Sequence, residues 1–160
     1  LVGAGLFGFL INPPLPLYYM QGLNLTPNHG HTALFGVYGM LGIGLMLFCL
    51  RGMKPQAIWP EAPLRTAFWS LNIGLSGMAL FTLLPLGILQ VNAAMNHGYW
   101  FARSAEFMQQ PIVDMLVWMR VPGDTIFAVG AGLMAWFVFR QWVLPQREKA
   151  GAAIAAREAA

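Results

Sequence analysis

Charged side chains are scarce in this sequence. Six acidic and nine basic residues make up 9% of its 160 positions, where a soluble globular domain carries about 25%. An ordinary water-soluble fold is thereby excluded. Disorder is excluded too, because it needs low hydrophobicity and high charge. Cysteine occurs once, at Cys49, which rules out a disulfide framework and any CxxC metal site. The formal net charge of +3 is small and sits mostly beside apolar segments, so nucleic acid is not an expected partner. What fills the chain is apolar: 58% hydrophobic residues, with a mean hydropathy of +0.58. Eighteen Gly, eleven Pro and ten Met suit membrane helices, in which Gly and Pro are commoner than in soluble ones. The length allows one domain at most.

A spanning helix requires about 20 mostly apolar residues. Stretches at about 27–51, 66–92 and 122–144 meet that requirement. Residues 1–12 form only a partial helix, ended at Pro13-Pro14 by two missing N–H donors. They open without the basic n-region or small-residue cleavage site of a signal peptide, and are read as the tail of a helix from a larger membrane protein. Residues 15–26 are expected to be an extended or interfacial connection, with Tyr18, Tyr19 and Met20 at headgroup depth. Thr26-Pro27 reads as a helix start, with Thr as N-cap and Pro at the first helical position. Gly36, Gly39, Gly42 and Gly44 offer notches to another helix or a flat ligand.

Pro55, Pro60 and Pro63 break up residues 52–65 as a loop. No charged residue occurs between Arg65 and Arg103. Pro85, inside that span, predicts a kink, and Asn72, Ser76 and Thr82 are expected to face neighbouring helices. Residues 93–120 are mixed, with a short helix starting at Ser104-Ala105-Glu106. Asp124 falls in the first turn of the last span, where a helix N-terminus favours an anion. Arg140 snorkels at its other end. The fold class is therefore all-α, a polytopic transmembrane helix bundle over residues 1–144, followed by an exposed tail at 145–160. Arg51, Lys54, Arg65, Arg140, Arg147, Lys149 and Arg157 fall on one side of the bilayer, and only Arg103 and Arg120 on the other. The positive-inside rule places the tail in the cytoplasm and the start of the 27–51 helix near the outer face.

That start carries two of the three histidines, in Asn28-His29-Gly30-His31. Polar residues in a membrane helix are costly and suggest function. Residues i and i+2 lie about 200° apart around an α-helix, so His29 and His31 point to nearly opposite sides. A single shared metal would favour an i, i+4 pair instead. Two acceptors, one on each side, suit the spacing, and axially bound haem iron is one such acceptor. Gly30 removes bulk between them. Polar packing against helix ends and a mononuclear metal site are the competing readings of these residues.

Longer motifs add a family resemblance. INPPLPLYY, LTPNHGHTALFGVYGM, MLFCLR, FWSLNIGLSGMALFTLLPLG, GYWFARSAEF and MRVPGDTIFAVG together resemble the catalytic subunit of bacterial nitric oxide reductases, in particular the quinol-dependent single-subunit type. These are members of the haem–copper oxidase superfamily, and the likeness runs from Leu1 to about Val143. It implies the C-terminal part of a subunit I-like fold. His29 would then be the proximal ligand of a high-spin haem b3, and His31 one of two axial ligands of a low-spin haem b. The implied reaction takes two nitric oxide molecules, two electrons and two protons to nitrous oxide and water. It occurs at haem b3 and a non-haem iron whose ligands lie outside this sequence. Further implied partners are quinol or cytochrome c as electron donor, the lipid bilayer of a bacterial inner membrane, and the N-terminal remainder of the same subunit, without which the fragment is expected to be inactive.

The other candidates read more plainly. His97 is an exposed interfacial residue or part of a quinol or proton-entry surface. Arg120 and Asp124 pair with each other or cap the last helix; alternatively Arg120 donates to a haem propionate, whose carboxylate matches a guanidinium fork. Arg103 and Glu106, at i, i+3, are expected to form a local ion pair. Arg51 anchors a helix end, Phe35 and Tyr38 pack between helices or stack on a haem edge, and Cys49 is a small packed residue. Rival functions are an oxygen-reducing terminal oxidase of the same superfamily and a non-enzymatic membrane scaffold or transporter piece.

Overall fold

A computed structural model describes residues 2–55 and 57–143. The tail at 145–160 and the expected helix end at Leu144 lie outside the described residues. Every regular element described is helical: α1 Val2–Ile11, α2 Pro14–Met20, α3 Leu25–Met53, α4 Glu61–His97, a short turn of 3₁₀ helix at Phe101–Arg103, α5 Ala105–Met108, α6 Pro111–Trp118 and α7 Arg120–Val143. α3, α4, and α6 with α7 taken together are each long and apolar enough to cross a membrane.

Several boundaries depart from the expectations, for local reasons. Residues 14–20 are helical, not extended: Pro13 and Pro14 close α1 and also start α2, with Pro14 at its first position, where a missing N–H costs nothing. Gly22, at φ +71°, then turns the chain. Thr26 does not cap α3, which begins at Leu25; its hydroxyl accepts from Gly22 N and donates to Met20 O, both at 3.2 Å. α4 starts at Glu61, five residues before Thr66, because Pro63 falls within its first turn. It runs on to His97, where Gly98, at φ +91° and ψ 156°, ends it in a backbone conformation open to glycine and strained for other residues. Ahead of Pro85, the backbone widens into a π-helical turn at Ala79–Leu83. Such a turn accommodates the donor and the space that the proline ring removes.

The tightest packing joins the first half of α4 to α7, and glycine makes it possible. A Cβ at Gly74 would lie 2.5 Å from Phe127 N, one at Gly123 3.0 Å from Met78 N, and one at Gly130 2.8 Å from Leu71 N. These are backbone-to-backbone approaches of the small-residue kind that membrane helices use. The notches expected on α3 serve less. Gly36 meets Leu75 of α4, Gly39 meets Phe35 of its own helix, and Gly42 and Gly44 meet no described atom within 4 Å. Phe35 packs edge-on against Phe127 at 4.7 Å, and Tyr38 is exposed.

Both ends of the bundle are tied. At one end Lys54 Nζ donates to the carbonyls of Gln141 and Trp142, and Gln141 donates to Ile58 O at 3.0 Å. There the Arg51 guanidinium stands 5.2 Å over the Trp59 ring. At the other end buried Gln90 of α4 accepts from Asn24 N and Asn24 Nδ2, both at 2.8 Å, and donates to Ala102 O at 3.2 Å. Asn24 is the residue just before α3, so this tie fixes the start of that helix. Cys49 is exposed rather than packed. Thr82 is buried and turned to its own helix, donating to Met78 O, whereas Ser76 is exposed and Asn72 donates to Phe68 O.

Candidate functional site

The first turn and a half of α3 carries Asn28, His29, Gly30 and His31. Gly30 (φ −56°, ψ −49°) and His31 (φ −65°, ψ −43°) are both helical, so the chain through the pair is regular and the two imidazoles leave it on nearly opposite sides. From His31 onward the helix is π-helical, over His31–Gly39, and Met40 N reaches back to Phe35 O. Thr32 Oγ1 bonds the carbonyls of Asn28 (2.9 Å) and His29 (3.1 Å) at this transition.

The two rings are held differently. His31 Nδ1 lies 2.7 Å from Pro27 O. A carbonyl only accepts, so Nδ1 carries the proton and the Nε2 lone pair is left for another partner. His29 stands against α1, with Phe7 at 6.0 Å between ring centroids. Its ring edge rests on Gly8, where a Cβ would lie 2.7 Å from Cε1 and 3.0 Å from Nε2. His29 Nδ1 is buried and has no hydrogen-bond partner among the described residues, and the same holds for Asn28 Oδ1. Buried polar atoms are nearly always paired, so this turn carries polar capacity that the described residues do not satisfy.

Among the described residues no three His, Cys, Asp or Glu side chains converge as for a metal ion. Arg120 donates through Nε to Asp124 Oδ2 at 2.9 Å. That pair, rather than a helix N-terminus, holds Asp124, because α7 already begins at Arg120 and Asp124 lies past its first turn. Arg120 also lines a cavity of about 140 Å³ with Asn24 and Thr82, next to the start of α3. Arg103 makes no ion pair with Glu106; its guanidinium stands 5.7 Å over the Tyr99 ring and donates to the Tyr99 hydroxyl at 3.2 Å. That hydroxyl in turn donates to Gln21 O. His97 is exposed at the end of α4, its ring 4.9 Å from Phe101.

The sequence matches the family described as Cytochrome C and Quinol oxidase polypeptide I over residues 1–126. The chain belongs to that family, the haem–copper oxidases. It is also similar to a nitric oxide reductase subunit of Stutzerimonas stutzeri, 26% identical over 140 residues, or 81% of this chain and 28% of that protein. It thus spans little more than a quarter of the length of the curated relative it matches. It is a polytopic helical membrane protein of an oxidoreductase superfamily.

Membership implies haem, and His31 fits it: a histidine whose Nδ1 faces a backbone carbonyl is oriented to ligate iron through Nε2. His29 offers a second imidazole on the other side of the helix, but its Cε1–Nε2 edge rests on Gly8 of α1 and the buried nitrogen left unsatisfied is Nδ1. Sequence reasoning missed Gly8, Gln90 and Asn24 as supports of this turn. The Pro27–His31 bond had a signal: a carbonyl four residues before a helical His lies within reach of its Nδ1.

Proposed function

We propose that this chain is the C-terminal part of a nitric oxide reductase catalytic subunit, in which His29 would hold a high-spin haem b3 and His31 a low-spin haem b. The observation that carries the reading is the state of the two imidazoles. They stand on opposite sides of the helix, His31 with its Nδ1 against the Pro27 carbonyl and its Nε2 turned from it, and His29 buried with Nδ1 unsatisfied. The likeness to the Stutzerimonas stutzeri nitric oxide reductase supports the substrate.

When bound, the two haems supply electron transfer and the coupling of two nitric oxide molecules to nitrous oxide and water, with two electrons and two protons consumed. The chain's own residues position them. α3 holds the two ligands two residues apart, so the covalent path between the sites is one helical turn or less. Asn24 and Gln90 fix the start of that turn, and the Pro27 carbonyl fixes the His31 tautomer. Arg120 lines the cavity it shares with Asn24 and Thr82 and pairs with Asp124 through Nε, which leaves its Nη groups for a haem propionate. The non-haem iron ligands, the further ligand of haem b and the site for quinol or cytochrome c would belong to the N-terminal remainder. The membrane is the bacterial cytoplasmic membrane. The end bearing Arg51, Lys54, Arg65 and Arg140 faces the cytoplasm, by the excess of basic residues there.

A reduced-minus-oxidised spectrum of the full-length protein, with and without carbon monoxide, tests the assignment. Two b-type signals are expected, one of them shifted by the gas. His29→Ala should remove the gas-sensitive signal and His31→Ala the other. Both signals unchanged in both variants would overturn the ligand assignment, and no haem at all would return the chain to a scaffold or transporter role. The family match favours one second reading, an oxygen-reducing oxidase. Consumption of oxygen without nitric oxide turnover would select it.

A further inference from the structure

We propose that the groove between α3 and α4, at the basic end of the bundle, seats one acyl chain of an anionic phospholipid, with the phosphate beside Arg65. The inference does not rest on the haem assignment. The groove holds about 500 Å³, within the about 300–1,000 Å³ of small-molecule sites. Met40, Gly44 and Leu47 form its α3 wall, and Leu64, Phe68 and Leu71 its α4 wall. Spacings of three and four residues keep each set on one helix face. Gly44 sets the width: a Cβ there would meet no described atom within 4 Å, so a larger side chain would take up groove space. The depth is that of one leaflet. One turn beyond Met40 and Leu71 the two helices meet, where a Cβ at Gly36 would lie 3.3 Å from Leu75 Cδ2. From Glu61 to Leu71 the α4 wall runs about 15 Å, half of the about 30 Å hydrocarbon core. A neighbouring helix, about 10 Å across and spanning the whole core, does not fit a groove that closes at mid-span, whereas a single flexible chain does. The mouth carries the matching charge. Glu61 and Arg65 line it, and their separation of 3.6 Å is too long for a hydrogen bond, so the guanidinium keeps its donors. Arg51 continues the α3 stripe one turn beyond Leu47. Anionic head groups are attracted to Lys and Arg placed beside a membrane helix in this way.

The test uses the full-length protein, delipidated in detergent and titrated with dioleoyl-phosphatidylglycerol or dioleoyl-phosphatidylcholine, with bound lipid counted by native mass spectrometry. The parent is expected to hold one phosphatidylglycerol tightly. Gly44→Leu displaces about two methylenes of the chain and should weaken binding about tenfold. Gly42→Leu should match the parent, because Gly42 also meets no described atom within 4 Å but does not line the groove. Arg65→Gln should weaken phosphatidylglycerol about fivefold and leave phosphatidylcholine unchanged. Unchanged binding in Gly44→Leu, or an equal loss in Gly42→Leu, would overturn the groove as the seat. No tightly held lipid in the parent would overturn it too, and would give the groove to a segment of the remainder of the subunit. Equal affinity of the parent for the two lipids would overturn the anionic head group. Should Gly44→Leu lower the yield of folded protein, Leu64→Phe narrows the groove from the α4 wall. Weaker binding in that variant supports the site, and unchanged binding refutes it.

Discussion

Replacing Gln90 by methionine keeps the volume and length of a buried side chain and deletes four hydrogen bonds at once: two accepted from Asn24, one donated to Ala102 O and a weak one donated to Met108 Sδ at 4.0 Å. A typical intramolecular hydrogen bond contributes about 1 kcal/mol net, and a buried group left unpaired costs about 1–3 kcal/mol. Interhelical bonds in membranes average about 0.6 kcal/mol. Gln90 is 4% exposed, so no water replaces it at Ala102 O, but Asn24 is only half-buried and recovers part of its loss. The sum is about 2–3 kcal/mol of destabilisation. The assay is reversible unfolding of the full-length protein in mixed micelles, run as a cycle with Asn24→Ala and the double variant. That cycle isolates the Nδ2 bond, with a coupling of about 0.5–1.5 kcal/mol. A Gln90→Met protein within about 0.5 kcal/mol of the parent, the ordinary range for an inconsequential surface change, would refute the tie. Because Asn24 immediately precedes α3, the same variant should also broaden the His31-dependent haem signal.

Gly74→Val and Gly130→Val place side chains into the neighbouring backbone. Each should cost at least about 3 kcal/mol, the upper end of overpacking, read as loss of folded protein in a detergent melt, whereas Gly44→Val should be tolerated. Arg120→Met should change stability by less than about 1 kcal/mol, since both partners of its ion pair are partly exposed (41% and 43%) and such pairs are worth little. The same variant should shift a haem midpoint potential, and an unchanged potential would remove Arg120 from the site. Lys54→Ala leaves two carbonyls at the end of α7 without their donor and should cost about 1–2 kcal/mol, measurable as faster amide exchange at Gln141 and Trp142.

Much of the architecture is legible in where charge is absent. A run without charge from Thr66 to Ala102 can only be a buried or membrane helix, and α4 occupies most of it. The departures fall at residues whose meaning depends on position. Pro63 reads as a breaker but sits in a first turn, and Pro13-Pro14 reads as a stop but is also a start. For the site, the helical period alone places His29 and His31 on opposite sides. Its supports are invisible for a different reason. Gln90 and Asn24 are 66 residues apart, Gly8 and His29 lie on different helices, and one glycine looks like another until a neighbour is seated on it. The α4–α7 crossing hides in the same way, since Gly74, Gly123 and Gly130 carry no pattern that separates them from Gly42 or Gly44.

The π-helical stretch at His31–Gly39 separates two alignments along one helix. Upstream, the phase of α3 is set by Asn24, Gln90 and the histidine pair; downstream, it is set by packing of Met40, Ile43 and Leu47 beside Leu71 and Met134. A π turn holds one residue more than the α turn it replaces. Deleting a single residue between Thr32 and Gly39 would therefore let the helix close into an ordinary α-helix while both halves keep their own contacts. An insertion or deletion elsewhere between the histidine pair and Leu47 would rotate the ligands against the rest of the bundle. Length variation among relatives of this chain is thus tolerable at that one stretch of the helix.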